Sequence, residues 1–396
     1  MNIGDLKFAS RFDKVTGSAI REVLKLMSAP GMISFGGGNP AASALPDETV
    51  SRMAQKVLTE NGKSILQYGL TEGYPPLREN LAPYLKKQFG FDTDAQSILP
   101  VTGSTQAMDL LCKALINPGD TILVENPTFL GNMQCMKLYE AKLVAVPTDE
   151  NGILPDKLEE AIKLHHPKLL YTIPTFQNPT GKTLCGERRP IIAALAEKYG
   201  MVVAEDDPYR DLRYSGTPLP SIKSYDESGF VVFMGSFSKV ISPGLRVGYI
   251  AAHPSILRKC VIGKQSTDVH TATLNQAIVN AFLTENLLDN HVADVCKSYG
   301  EQLEAMLEEL AAFPEGTQYT KPQGGLFVWV ELPKGISATE LLPKAVEKGV
   351  AYVPGTHFYA EGGHDNTLRL NFSNSNVEKI HKGMAILRNV ILQAAK

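Results

Sequence analysis

FVVFMGSFSKVISPGLRVGYI, residues 230–250, sets two apolar runs on either side of a polar, glycine-bounded turn. Phe230–Met234 has the composition of a buried strand, and Val247–Ala252 that of a second. Between them stand Ser236, Ser238, Lys239, Ser242, Gly244 and Arg246. A lysine flanked by hydroxyls and followed by an arginine, between two strands, suits an interior site that holds an anion beside an amine. Two readings are open from this stretch alone. The lysine forms a Schiff base with an aldehyde, or the segment is a solvated turn with incidental charge.

Outward from this stretch, the same grammar repeats. Ile98–Val101 is an apolar run that stops at Thr102–Gly103, and helical periodicity begins at Ser104. The N–H groups and hydroxyls of Ser104 and Thr105 would then face a ligand from a helix N-terminus, a seat suited to phosphate; Ser104 acting only as a cap is the alternative. TILVENPTF (121–129) is a strand that ends in a loop with an aromatic residue, and Val144–Val146 is part of the next. After a helix from Pro155 to Leu164, LLYTIPTFQNPTGKTL places Asn178, Pro179 and Gly181 directly behind a strand. A helix over IIAALAEKYG ends at Gly200, and MVVAEDDPYRDL delivers Glu205, Asp206, Asp207 and Tyr209 at another strand end. Strand, functional loop and helix in succession predict an α/β domain whose central sheet is mainly parallel, with ligands grouped at the strand C-termini.

The flanks read differently. Ser18–Met27 has the spacing of an amphipathic helix that Pro30 and Gly31 end, followed by the glycine run of ISFGGGNP (33–40). That run allows close approach by a ligand but is no dinucleotide fingerprint, because no GxGxxG leads from strand to helix. A helix is expected from Asp47 to Glu60, then a loop through Tyr68, Gly69 and Gly73. Helices are expected over Thr273–Leu283 and about Asp289–Ala312. Beyond them GGLFVWVELP, GVAYVPGTHFY and TLRLNFS read as strands, and a last helix starts at Val377. The organisation expected is residues 1–45 as an N-terminal helix and arm packing with a small domain, 46–285 as the large domain, and 286–396 as the smaller α+β domain.

Bulk properties narrow the class. With 396 residues and 43% hydrophobic content, the chain can fill a sizeable core in two domains. A formal net charge of −3 gives no support to a nucleic-acid surface. The five cysteines are scattered without metal spacing and fit reduced thiols, so no metal site is expected. Neither a signal peptide nor an apolar run long enough for a bilayer is visible, so a cytoplasmic protein without a membrane partner is expected.

Taken in order, GSTQAMD (103–109), QNPTG (177–181), EDDPY (205–209) and SFSKVISPGLRVGY (236–249) resemble the fold-type I aminotransferases that use pyridoxal 5′-phosphate (PLP). IREVLK, ISFGGGNP, QYGLTEGYPPLR, TFQNPTG and LRLNFS are similar to the subgroup of 2-aminoadipate and kynurenine/aminoadipate aminotransferases. The resemblance covers essentially the whole chain. It implies that Lys239 carries PLP as a Schiff base and, once freed, moves protons. It implies that Asp206 pairs with the pyridine nitrogen, and that Asn178 and Tyr209 contact the ring oxygen. Gly103, Ser104, Thr105, Ser236, Ser238 and Arg246 would hold the phosphate, and Arg246→Lys would not be conservative there. Phe129 stands where related enzymes often carry a stacking tyrosine; core packing is its alternative role.

For substrates, the resemblance implies that Arg369 clamps the α-carboxylate with help from Asn178. Gly38 and Asn39 would lie near the mouth of the pocket. Arg21 sits where 2-aminoadipate enzymes carry an arginine that meets a distal carboxylate; an ordinary exposed helix arginine is the alternative. Tyr68 matches a residue that reaches the phosphate of a neighbouring subunit, which implies a homodimer with shared active sites. The activity implied is ping-pong transfer of an amino group from an L-amino acid to a 2-oxo acid, 2-oxoglutarate foremost. Donors would be 2-aminoadipate, aromatic or branched-chain amino acids. A racemase, lyase or decarboxylase can use the same cofactor and lysine, because the cofactor carries the electronic step. A transcription regulator with an aminotransferase-like sensor is a further alternative, but the enzyme region begins almost at residue 1, leaving no room for a DNA-binding domain.

Overall fold

The computed structural model describes residues 6–13, 15 and 31–394. The helix expected over Ser18–Met27 lies outside them. Seven strands form the main sheet: β1 (Ile98–Val101), β2 (Thr121–Glu125), β3 (Lys142–Val146), β4 (Leu169–Thr172), β5 (Val202–Asp206), β6 (Val231–Ser236) and β7 (Gly248–Ala251). Their order is β1-β7-β6-β5-β4-β2-β3. Strand β7 runs antiparallel to β1 and β6, and the remaining neighbours are parallel. The mainly parallel sheet expected from sequence is therefore present, with one reversed strand made by the turn that carries Lys239.

Strands such as β5 and β6 are buried along their whole length because both faces of the sheet are covered. The two-residue period of a strand sorts their side chains. Leu123, Leu170, Val203 and Val231 pack on one side with Leu158 and Ile162 of α5 (Pro155–His165) and Ile192 and Ala196 of α6 (Arg188–Tyr199). Ile122, Val124, Tyr171, Ala204 and Val232 belong to the other side's core, together with Met108 and Leu111 of α3 (Ser104–Leu115).

Two further helices precede α3: α1 (Asp47–Ile65) and α2 (Pro75–Phe89). Helix α1 passes the end expected at Glu60. Asn61 leaves helical geometry at φ −136°, but the chain resumes its winding so that Ile65 is buried. Burial of that one side chain overrides the local breakers Asn61 and Gly62. Helix α4 (Leu130–Leu138) follows β2, and α7 (Pro254–Gln265) and α8 (Thr273–Thr284) follow β7.

A second sheet is built from β8 (Gln318–Tyr319), β9 (Phe327–Glu331), β10 (Val353–Pro354) and β11 (Thr367–Asn371), in the antiparallel order β8-β9-β11-β10. Helices α9 (Leu287–Leu310), α10 (Ala338–Glu347) and α11 (Val377–Ala394) accompany it. Ile33–Ser34 pairs in parallel with Val350–Ala351, which ties the segment before the glycine run to this region.

Gly383 on α11 makes that tie possible. A Cβ there would lie 2.7 Å from the Phe35 ring and 2.8 Å from Ile33. Alanine normally stabilises a helix interior by up to ~1 kcal/mol over glycine. Here Gly383→Ala should instead destabilise by about 1–3 kcal/mol through overpacking, measured by denaturant unfolding; a stabilised variant would contradict the packing described.

Candidate active site

Five strand ends meet one cavity of about 390 Å³. Gly38, Asn39, Ser104, Thr105, Phe129, Asn178, Asp206, Tyr209, Ser236, Ser238, Lys239, Arg246 and Arg369 all line it. The chain supplies them from residues far apart in sequence, and Arg369 comes from the small sheet.

One end of the cavity is an anion seat. The chain turns at Gly103 (φ 83°) into α3, whose first N–H groups have no capping side chain. A Cβ at Gly103 would collide with the Arg246 guanidinium, so glycine lets the two approach. Arg246 Nη2 donates to Thr102 O at 3.1 Å. Ser236 Oγ donates to Ser238 Oγ at 2.9 Å across the same corner. A helix N-terminus, two hydroxyls and a guanidinium are the donor set a phosphate dianion requires.

The centre holds a half-buried amine and a fully buried carboxyl. Lys239 Nζ donates to Gly38 O at 2.8 Å. Burial, together with the Arg369 and Arg246 charges, pushes its pKa down to about 8 against the pull of Asp206. Asp206 ends β5 and is buried. Its Oδ2 accepts from Tyr171 Oη at 2.9 Å and from Asn132 Nδ2 at 3.3 Å. Its Oδ1 has no hydrogen-bond partner. Burial pushes the Asp206 pKa up to about 7, although the Tyr171 hydroxyl works in the other direction. An orphaned buried oxygen at this place fits a protonated ring nitrogen, so the residues suit PLP. Asp207 faces away, accepting from Thr175 Oγ1 at 3.0 Å.

The other end binds a cation without a counter-ion. Arg369 is buried; its Nη1 donates to Asn178 Oδ1 at 2.8 Å and its Nη2 to Gly36 O at 2.6 Å. Its guanidinium carbon lies 4.2 Å from the centroid of the Phe327 ring and 5.0 Å from that of Phe358. Burial lowers its pKa to about 10. Among the described residues, no carboxylate forms an ion pair with it, and Nε lacks an acceptor. Asn178 also donates to Tyr209 Oη at 3.4 Å, so the amide spans the two functional ends.

Residues 30–387 match the family described as aminotransferase class I and II. The chain belongs to this family of PLP-dependent, fold-type I enzymes. It is 42% identical over 395 residues to aromatic-amino-acid aminotransferase 1 of Thermococcus litoralis, covering 98% of this chain and 95% of that protein. It is 41% identical over 381 residues to the 2-aminoadipate transaminase of Thermus thermophilus, covering 95% and 94%. A solved kynurenine aminotransferase of Pyrococcus horikoshii, in complex with PMP, superposes with a TM-score of 0.94 at 40% identity and covers 98% of each chain.

Among the described residues selected from sequence, Gly103 and Tyr68 are not in the cavity lining; Gly103 sits behind it, against the Arg246 guanidinium. Tyr68 is 81% exposed, edge-on to His270, whose Nε2 accepts the Gly69 N–H at 3.1 Å. Arg21 lies outside the described residues. Several residues that shape the cavity escaped the sequence reading. Tyr171 looks like core within an apolar strand, and Asn132 like a polar position on a short helix. Phe327 and Phe358 read as ordinary core aromatics, yet they flank the Arg369 guanidinium.

The folded protein holds the Asp206 proton to about pH 7, whereas an exposed aspartate releases it near pH ~4. This group's stabilising contribution is thus complete below pH ~4 and is lost as pH rises through about 7. In cofactor-free protein, Asp206→Asn should gain Tm relative to wild type between pH ~5 and ~7 and level off near ~8. A difference that stays flat across that range would contradict this environment.

Proposed function

We propose that the chain transfers the amino group of an L-amino acid to a 2-oxo acid, 2-oxoglutarate foremost, with PLP attached to Lys239. One observation carries this reading: an amine, a carboxyl with an orphaned oxygen and an arginine without a carboxylate face one cavity that also has a phosphate seat. When bound, PLP supplies a carbonyl that condenses with amines and a ring that draws electrons from the substrate Cα.

The protein's own groups divide the remaining work. Asp206, whose carboxyl Tyr171 and Asn132 fix through Oδ2, would hold the proton on the ring nitrogen. Lys239 Nζ, brought towards neutrality by burial, takes and returns the proton at the substrate Cα. Arg369 and Asn178 grip the α-carboxylate and so set which Cα bond faces the lysine. Asn178 and Tyr209 direct hydrogen-bonding groups at the ring oxygen, and Phe129 covers the ring. Gly103, Ser104, Thr105, Ser236, Ser238 and Arg246 hold the phosphate.

Donor choice is read from the relatives. They are an aromatic-amino-acid aminotransferase, a 2-aminoadipate transaminase and a kynurenine aminotransferase. The reading for this chain is a broad pocket that takes 2-aminoadipate, aromatic and branched-chain donors, with Arg21 meeting the distal carboxylate of the dicarboxylic ones and Gly38 and Asn39 at its mouth. The active unit is a homodimer in the cytoplasm. Exposed Leu66, Tyr68 and Leu70 on one loop support a second copy that receives Tyr68 at its phosphate. Division at residues 46–285 and 286–396, with 1–45 packed on the latter, is supported by the pairing of Ile33–Ser34 with Val350–Ala351. No described helix is long and apolar enough to cross a membrane.

A matrix of amino donors and 2-oxo acids, read by product formation, tests the reading. Wild type should convert several donors with 2-oxoglutarate and release no net ammonia, and Lys239→Ala should lose turnover by at least about 10⁴-fold. Arg21→Ala should reduce kcat/KM for 2-aminoadipate by about tenfold or more relative to leucine. Amino donors that yield no 2-oxo acid would reject the activity; an unchanged donor ratio in Arg21→Ala would reject the distal contact.

A further inference from the structure

Beneath the phosphate seat lies an ion pair, buried at its lysine and half-buried at its aspartate, that no catalytic step uses. Lys264, near the end of α7, is fully buried. All three of its N–H donors have acceptors: Gln106 Oε1, Asp268 Oδ1 and Asp268 Oδ2, each at 2.9 Å. Asp268 Oδ2 also accepts from Gln106 Nε2 at 2.7 Å and from Thr102 Oγ1 at 3.0 Å. Gln106 Oε1 accepts the Thr102 N–H at 2.7 Å. Burial works against the Asp268 charge, but hydrogen bonds from Gln106 and Lys264 outweigh it and hold the carboxyl below its usual range.

The network converges on Thr102. Its N–H and its hydroxyl are both tied into the network, and the next peptide, which carries its carbonyl, is fixed by the Gly103 N–H donating to Val101 O at 2.9 Å. That carbonyl is one of two that orient Arg246; the other, Pro243 O, is longer at 3.4 Å. Arg246 is otherwise exposed and occupies the left-handed region at φ 54°. Thr102 also leads directly into Gly103, where α3 begins. One partly buried charge pair therefore helps fix both the helix N-terminus and the guanidinium of the seat.

We propose that Lys264 and Asp268 are positioning residues for the cofactor phosphate, acting through Thr102, Gln106 and Arg246 without touching the ligand. A seat held in place before binding loses less freedom when the dianion arrives, and the advantage is specific to a phosphate-bearing ligand. The inference rests on the PLP reading and deepens it.

The test compares PLP with pyridoxal, the same aldehyde without phosphate, by titrating apoprotein and following the cofactor absorbance. Lys264→Met leaves Asp268 without its cation and risks misfolding, so Lys264→Met/Asp268→Asn, which removes both charges, is measured beside it. The expected result is a PLP Kd raised about tenfold or more in either folded variant, with the pyridoxal Kd within about twofold of wild type. Equal weakening of both ligands would show general damage and overturn the proposal, as would an unchanged PLP Kd. Wild-type protein that binds PLP no more tightly than pyridoxal would instead reject the cofactor reading itself.

Discussion

A buried guanidinium with no counter-ion among the described residues is the constraint around which the site is built. Arg369 satisfies two of its nitrogens with the neutral oxygens of Asn178 and Gly36 and rests between the Phe327 and Phe358 rings. Neutral acceptors and ring faces offset part of the cost of removing the charge from water, but a carboxylate would offset far more. Asp206 poses the same problem with opposite sign, since one of its oxygens has no partner. Lys239 lines the same cavity, its pKa lowered to about 8 by burial and by the neighbouring arginines. The fold keeps three ionisable groups close together in one cavity, and under the proposed function a protonated ring and a substrate carboxylate would complete their electrostatics. Stability is given up here for that preorganisation.

The two sheets make this possible without strain in their cores. The main sheet sends Asp206, Ser236 and the loops after β1, β2 and β4 to one edge, because parallel strands end together. The small sheet contributes Arg369 from β11, a strand with neighbours on both sides, so the arginine is held by backbone pairing on each flank. The Arg369 guanidinium and the Lys239 amine thus belong to different sheets. Any relative movement of the sheets would change the distance between them.

Much of the site was legible because its chemistry stands at strand ends, where apolar runs break into polar residues. Lys239, Asp206, Asn178 and Arg246 announce themselves in this way, and the ordered motifs point to one family. The resemblance selects Asp206, strand alternation turns Asp207 the other way, and the two carboxyls accept from different groups, Tyr171 and Thr175. What supports those groups was not legible. Tyr171 is indistinguishable from core within LLYTIP. Lys264 meets Gln106 across 158 residues, and no local pattern encodes that meeting. Helix α1 outran its expected end because the burial of Ile65 is a tertiary fact. Tyr68 has no role that one chain can display, since it points away from its own cavity.

The central claim is that Arg369 is a cation waiting for a carboxylate. Its most direct test is the affinity of PLP-loaded protein for unreactive carboxylates, adipate and 3-phenylpropanoate, measured by calorimetry in wild type and Arg369→Met. The account predicts saturable binding to wild type and a loss of about 100-fold or more in the variant, the scale of one desolvated, charge-assisted pair. Affinities that agree within about twofold would contradict it.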